Sequence, residues 1–191
     1  MEKQSGKVNE FVPEILERKL NEHYASTEIS TVFASEINNC SANGMPHIRI
    51  NMLFTDSSFF EVFPQVFVSG DARQPLQALN NIVITETMAV RLFGNLEKAI
   101  GQQIQSTLFR RPPYTVTSVV KDPPPNSNLS FDAILFSDFQ RTFSKMPEEM
   151  QWASFNVQLY VKFHPRTDIM AFAEQLRDFP SRSHPNANFE V

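Results

Sequence analysis

The sequence lacks a cysteine pair, long apolar runs and an apolar stretch near its start, the features from which disulfides, membrane spans and export signals are built. Its one cysteine, Cys40, excludes an internal disulfide, and no base partner near it marks a nucleophile. The longest uninterrupted apolar run, residues 169–173, is far shorter than the ~18–20 residues that cross a bilayer. Residues 1–11 contain no apolar stretch of the signal-peptide kind. Taken alone, these absences predict a soluble cytosolic protein.

Catalytic and ligand-binding motifs are also missing from the sequence. The five glycines are too scattered for a phosphate-binding loop, and no G-x-S-x-G motif is present. The four histidines (His23, His47, His164 and His184) lack metal-ligand spacing. Asp138, Glu148 and Glu149 lie in a polar segment and are interpreted as solvated charges. The net charge of −4, without a basic stripe, argues against nucleic-acid partners. We therefore expect no enzyme, no catalytic or metal residues and no cofactor on this chain.

What the sequence does contain is a mixture of strand and helix patterns. Alternating or β-branched runs predict strands at residues 29–33, 47–54, 66–68, 81–84, 100–104 and 157–163. Amphipathic periodicity predicts a helix over 12–24, with Pro13 at its first position, and a last helix capped by Thr167 or Asp168. Residues 38–46 are predicted to form a loop. The interleaving indicates an α+β fold, a mixed sheet with helices in two lobes.

Two further helices have predicted boundaries. Asp56 or Ser57 is expected to cap a short helix that Pro64 ends. Thr85 is a suitable N-cap for a helix over residues 86–93, and Gly94 suits the position after its end.

Residues 114–136 read as a strand, a sharp corner and a second strand. Thr and Val make up most of residues 114–120, and three consecutive prolines, Pro123 to Pro125, then remove backbone donors and fix φ. Asn126, Ser127 and Asn128 add turn chemistry, and residues 129–136 return to a strand pattern. We call residues 121–128 the proline corner. A hairpin-like turn is predicted just before this region, at residues 110–113.

Several segments together resemble a known family in their order and spacing. They are DSSFFEVF at 56–63, SGD at 69–71, IVITET at 82–87, RLFG at 91–94, IGQQI at 100–104 and YTVTSVVKDPP at 114–124, followed by Asn126–Ser127 and Phe131–Asp132. This arrangement resembles the MacB-like periplasmic core domain of ABC-transporter permeases, the group with FtsX-like and MacB-like members. Ala99 and Gln102 depart from the proline and lysine common there.

The resemblance implies a different cellular setting from the one that composition predicts. In that family the domain lies outside the cytoplasmic membrane, between two transmembrane helices of a bacterial permease. The expected function is non-catalytic: transmission of ATP-driven motion to export or extraction of a peptide, antibiotic or lipoprotein. The implied partners are the permease's own transmembrane helices, a cytoplasmic ATPase that uses the ATP, a second permease copy and a periplasmic adaptor. The chain would then be a segment excised from a larger protein.

Two segments are candidates for contact with a partner. They contribute Lys121, Asp122, Pro123, Pro124, Asn126, Met146, Met150 and Trp152. The proline corner has two interpretations: a simple turn between strands, or a stiff protrusion that binds a partner with little loss of conformational entropy. For Trp152 and its methionines, a core contact is favoured over an exposed patch.

Two other functions remain as alternatives. One is a free-standing soluble protein that binds a ligand or peptide between its lobes. The other, an uncharacterised hydrolase, is the weakest, because the residues supply no nucleophile and base pair.

Overall fold

The computed structural model describes residues 11–24, 26–107, 112–177 and 179, the side chains at 140 and 143 excepted. The chain folds into two compact units. Residues Phe33–Asp138 form one, here the central unit; the segments Met1–Val32 and Phe139–Val191 form the other, the terminal unit. The α+β fold class is confirmed. The expected features of residues 1–10, the tail after 180 and most of the turn at 110–113 lie outside the described residues.

The central unit is a mixed sheet with two helices. Its strands are the second part of β2 (Thr27–Ser41), then β3 (Ile48–Thr55), β4 (Phe67–Gly70), β5 (Asn81–Thr85), β6 (Gln103–Ser106), β7 (Tyr114–Val120) and β8 (Ala133–Phe136). Its helices are α2 (Phe59–Val62) and α3 (Glu86–Phe93). The strand order is β2-β3-β8-β5-β7-β4, and β6 pairs with both β2 and β7. Parallel pairs (β3 with β8, β5 with β7) alternate with antiparallel ones.

Aromatic and branched residues fill the core of the central unit. One buried cluster joins strands β2, β3, β5, β7 and β8 to α2, and its members are Phe33, Leu53, Phe59, Val83, Val120, Phe131 and Ile134. Ile82 and Ile84 alternate with Val83 and are equally buried, so both faces of β5 are covered. The continuous apolar run of β5 reflects this position at the centre of the sheet.

In the residues that the structure describes, the terminal unit combines the first part of β2 with two further strands and four helices. The strands are β1 (Val12–Pro13) and β9 (Phe155–Phe163), and the helices are α1 (Ile15–His23), α4 (Phe139–Phe143), α5 (Glu148–Trp152) and α6 (Ile169–Arg177). β1 pairs antiparallel with β9, which lies beside β2. Its core consists of Ile15, Leu16, Leu20, Trp152, Phe172 and Phe179.

Helix boundaries that depend on local capping were predicted well. Thr85 Oγ1 accepts a hydrogen bond from the Met88 amide at 3.3 Å, and α3 ends at Gly94 in the left-handed region (φ 84°). Asp168 rather than Thr167 caps α6, since its Oδ1 accepts from the Ala171 amide at 3.0 Å. At α2 the predicted cap was wrong: the N-cap position belongs to Ser58 and not to Asp56 or Ser57, although Asp56 Oδ1 accepts a hydrogen bond from the Ser58 amide at 2.7 Å.

Boundaries that depend on long-range pairing were predicted less well. Residues 38–46 are not all loop, because β2 continues to Ser41 by pairing with β3 on one side and β6 on the other. The predicted strand at 100–104 shifts to Gln103–Ser106. α1 begins at Ile15, since Val12 and Pro13 pair with β9. The second strand of the proline corner is only Ala133–Phe136, because residues 129–132 approach the sheet without forming a strand.

Candidate functional site

The proline corner is an exposed loop that is fixed at its base. β5 lies between β7 and β8, so the corner crosses the end of β5 and does not join adjacent strands. Lys121, Asp122, Pro124 and Asn126 are exposed, and Pro123 is half-buried. The turn interpretation is therefore correct but incomplete, because the loop also offers surface.

Hydrogen bonds hold the first end and the tip of this corner. The Lys121 amide donates to the carbonyl of Val66 at 2.9 Å. Asp122 Oδ2 accepts from Thr87 Oγ1 on α3 at 3.0 Å. At the tip, the Ser127 amide donates to the Pro124 carbonyl at 2.9 Å and closes a β-turn. The proline φ angles and these bonds together leave the loop little freedom to lose on binding.

The chain after the corner is fixed by core contacts and by Asp132. Leu129 and Phe131 pack on the aromatic cluster of the central unit. Asp132 Oδ2 accepts from the Asn51 amide at 2.8 Å, and its own amide donates to the Asn51 carbonyl at 2.8 Å. The exposed tip is thus held between two anchored segments, β7 and residues 129–132.

Sequence reasoning missed two side chains beside the corner. Val66, bonded through its carbonyl to Lys121, is 59% exposed, and Val90, one turn after Thr87 on α3, is 51% exposed. No local signal separates them from core valines, because β-branched residues in a predicted strand or helix are expected to be buried.

The methionine and tryptophan segment does not form a surface patch. Trp152 is 1% exposed and packs against Ile15, Leu16 and Leu20 in the terminal core. It therefore has no surface to offer a partner, and the core interpretation favoured from the sequence holds. Met146 is half-buried, so only Met150, 56% exposed, remains available.

An ion pair fixes this same segment on α1. Lys19 Nζ lies 3.0 Å from Glu148 Oε1, and this hydrogen bond lowers the pKa of the Glu148 carboxyl below its usual value. A second, more exposed pair joins Lys162 to Glu28 at 2.8 Å, and that hydrogen bond lowers the pKa of Glu28. Both pairs organise the surface of the terminal unit; neither places a perturbed carboxyl next to a nucleophile.

Cys40 is buried in β2, and burial raises the pKa of its thiol to about 11. A protonated, enclosed thiol is a poor nucleophile. Among the described residues, no three or more His, Cys, Asp or Glu side chains come together as a metal site. No described helix has the length and apolar character of a membrane span.

Comparison with known proteins identifies the family. The family model described as the MacB-like periplasmic core domain matches residues 5–179, nearly the whole chain. The chain belongs to this family. It is thus the periplasmic domain of a MacB-like ABC-transporter permease, located outside the cytoplasmic membrane. No curated protein matches the sequence.

Solved structures of the family share the fold at low sequence identity. A domain of a putative permease from Porphyromonas gingivalis matches with a TM-score of 0.75 and 17% identity, over 95% of this chain and 81% of that one. The extracellular domain of the noncanonical ABC-type transporter YknZ from Gram-positive bacteria matches with a TM-score of 0.67 and 13% identity, over 95% of this chain and 88% of that one. The periplasmic region of MacB from Actinobacillus actinomycetemcomitans matches with a TM-score of 0.62 and 16% identity, over 95% of this chain and 78% of that one.

Proposed function

We propose that this domain is the non-catalytic periplasmic element through which a permease passes ATP-driven motion to its substrate. Membership of the MacB-like family over residues 5–179 carries the proposal. The substrate would be a peptide, an antibiotic or a lipoprotein that is expelled or extracted. ATP would be hydrolysed by a separate cytoplasmic ATPase, so the domain itself needs no cofactor.

The proline corner supports a mechanical role because it combines exposure with rigidity. A surface that passes motion to a partner must not yield when it is pushed. Here the exposed residues Pro124 and Asn126 lie a few residues after the end of strand β7, and Asp122 is hydrogen-bonded to Thr87 on α3. Force on the tip would therefore reach the sheet and α3 together.

The proposed partners follow from this arrangement. Transmembrane helices of the same permease would move the domain, and a second permease copy or a periplasmic adaptor would meet the proline corner. Val66, bonded to Lys121 at the base of the corner, and Val90, on the helix that Asp122 contacts, add exposed apolar area to the polar surface of this unit, a combination typical of protein interfaces. On the terminal unit, only Met150 is left from the second predicted contact segment.

The first test is to read the gene around this sequence. The proposal expects an apolar segment of ~20 residues on each side of the domain in the parent reading frame. A parent frame without such segments would remove the transmembrane drive and leave the alternative of a free-standing binding protein.

The second test perturbs the corner in the intact permease with its ATPase. Replacing Pro124 and Pro125 together by glycine restores backbone freedom without touching the anchors at Lys121 and Asp122. We expect ATP hydrolysis to continue and substrate export to fall. Pro165→Gly, an exposed proline-to-glycine change in the other unit and outside both predicted contact segments, is the matched control. Unchanged export in the double glycine variant would show that a stiff corner is not required.

A further inference from the structure

Strand β2 contains a short length of sheet edge that the described residues leave open. The neighbouring strand β3 turns the backbone groups of its odd-numbered residues away from β2. The Asn51 carbonyl accepts from the Asp132 amide at 2.8 Å, and the Thr55 carbonyl accepts from the Ser137 amide at 2.7 Å. In an antiparallel pair, residues opposite such positions also turn their N–H and C=O groups outward. Ser35 lies opposite Leu53, and Ile37 lies opposite Asn51.

The far end of this edge is already occupied. The Asn39 carbonyl, next in the outward-facing series, accepts from the Thr107 amide at 3.0 Å, and β6 then pairs with Cys40 and Ser41. At the start of β2 this same side is occupied by β9, whose end bonds to the Ser26 carbonyl through the His164 amide at 3.2 Å. Between these two occupied stretches, the outward backbone groups of Ser35 and Ile37 have no partner in the described part of the chain. We call residues 35–37 the β2 edge. It presents two donors and two acceptors, enough to bind a short extended segment.

The side chains of the β2 edge are accessible as well. Ser35 and Glu36 are exposed, and Ile37 is 61% exposed, although β-branched apolar residues in strands are usually covered. Glu36 stands opposite buried Met52 on β3 and has no described cation beside it. An incoming strand would thus find an exposed apolar side chain on one face of the sheet and an unneutralised carboxylate on the other.

We propose that the β2 edge binds an extended peptide segment by strand addition, with a lysine or arginine of the peptide opposite Glu36. An antiparallel peptide would then place its neighbouring residues opposite Ser35 and Ile37, and a β-branched residue opposite Ile37 would cover it. Backbone bonds would supply the contact, and the carboxylate would select the charge. This proposal does not depend on the transport function.

A second copy of this chain is a poor occupant of the same edge. Because only Ser35 and Ile37 are open, antiparallel self-pairing has to centre on Glu36. The two Glu36 residues would then form a non-hydrogen-bonded pair with their Cα atoms about 4.5 Å apart. Like charges directly opposite destabilise strand pairing. A basic segment from a substrate or partner protein avoids this repulsion.

Hydrogen exchange followed by NMR tests whether the edge is open. In the free domain, the amides of Ser35 and Ile37 should exchange quickly, whereas those of Glu36 and Asn38, which bond to β3, should be protected. Addition of a capped pentapeptide with sequence threonine-valine-lysine-threonine-threonine should slow exchange at Ser35 and Ile37. Protection of these two amides in the free domain would overturn the proposal, because the edge would already be filled.

A charge swap distinguishes selective binding from general adhesion. A second pentapeptide, with glutamate in place of lysine, should bind roughly fivefold more weakly, as expected for one cross-strand charge pair. Glu36→Lys, an exposed substitution, should reverse that preference. If neither peptide protects the edge, Glu36 acts as a charge that prevents strand addition, and the proposal fails. Equal binding of both peptides by both proteins would also refute it.

A backbone variant supplies an independent check. Ile37→Pro removes an outward N–H without removing a bond to β3, and proline is tolerated on strand edges for this reason. Peptide binding should be lost while the melting temperature changes little. Glu36→Pro is the matched contrast, because it removes an amide that bonds to Met52 and should lower the melting temperature. Peptide binding retained by Ile37→Pro would refute strand addition.

Discussion

Gly70→Ala tests the tightest backbone approach in the central unit. Gly70 has a φ of 87°, and a Cβ built there would lie 2.2 Å from the carbonyl oxygen of Thr117 and 2.6 Å from the Cα of Ser118. These atoms belong to the backbone of β7, so no side-chain rotation can relieve the contact. The close approach occurs where β7 contains an extra residue: Ile82 of β5 pairs with Val116, and the next residue pairs with Ser118.

Gly94 provides a matched control for this substitution. Its φ of 84° is almost the same, but nothing lies within 4 Å of the Cβ that alanine would add. Gly94→Ala should therefore cost only the left-handed backbone conformation, ~1–2 kcal/mol. Gly70→Ala should lower the free energy of unfolding by the same amount and by a further ~1–3 kcal/mol, because the new Cβ forces β4 away from β7 as an extra methyl group does in an overpacked core. The difference corresponds to a melting temperature lower by roughly 2–12 °C.

Urea denaturation followed by labelling of Cys40 measures this difference, because the only thiol is buried in the same unit. Far-UV circular dichroism should show the same order of stability. If Gly70→Ala and Gly94→Ala lose the same free energy of unfolding, β4 does not approach Thr117 as closely as described.

Three further predictions concern single side chains. Cys40, with a pKa of about 11, should react with a disulfide reagent at pH 8 at least ~100-fold more slowly than a free thiol; rapid labelling of the native protein would contradict its burial. Lys19→Met should destabilise the domain by ~0.2–0.5 kcal/mol at pH 7. The ion pair lowers the pKa of Glu148 below 4.5, so the stability difference between the wild type and Lys19→Met should vanish as the pH falls through that lowered pKa. Thermal melts in which the stability difference persists in acid would exclude the ion pair as its cause. Trp152→Ala should cost ~3–5 kcal/mol, whereas the exposed Met150→Ala should be nearly neutral; equal urea midpoints would contradict the buried position of the ring.

Local chemistry allowed parts of the fold and candidate site to be predicted. The boundaries of α3 follow from Thr85 and Gly94, since a hydroxyl cap and a left-handed glycine act within one helical turn. The proline corner was identified because three prolines stop a strand wherever it lies in the sheet. The order of the motifs identified the family, which the match over residues 5–179 confirms. The contact role of Lys121, Asp122 and Asn126 stays a prediction.

The tertiary structure decided three features: the length of β2, the position of β5 between β7 and β8, and the burial of Trp152. Each depends on residues far apart in the chain: β2 extends through residues 38–41 because β3 and β6 supply its hydrogen bonds. The β2 edge depends on the same pairing, since only the register with β3 decides which backbone groups of Ser35 and Ile37 face outward. The sequence by itself determined caps, corner and family because these act over a few residues or through motif order. Strand neighbours and open edges required the structure, because any β-branched run offers the same backbone groups and only packing selects its partner.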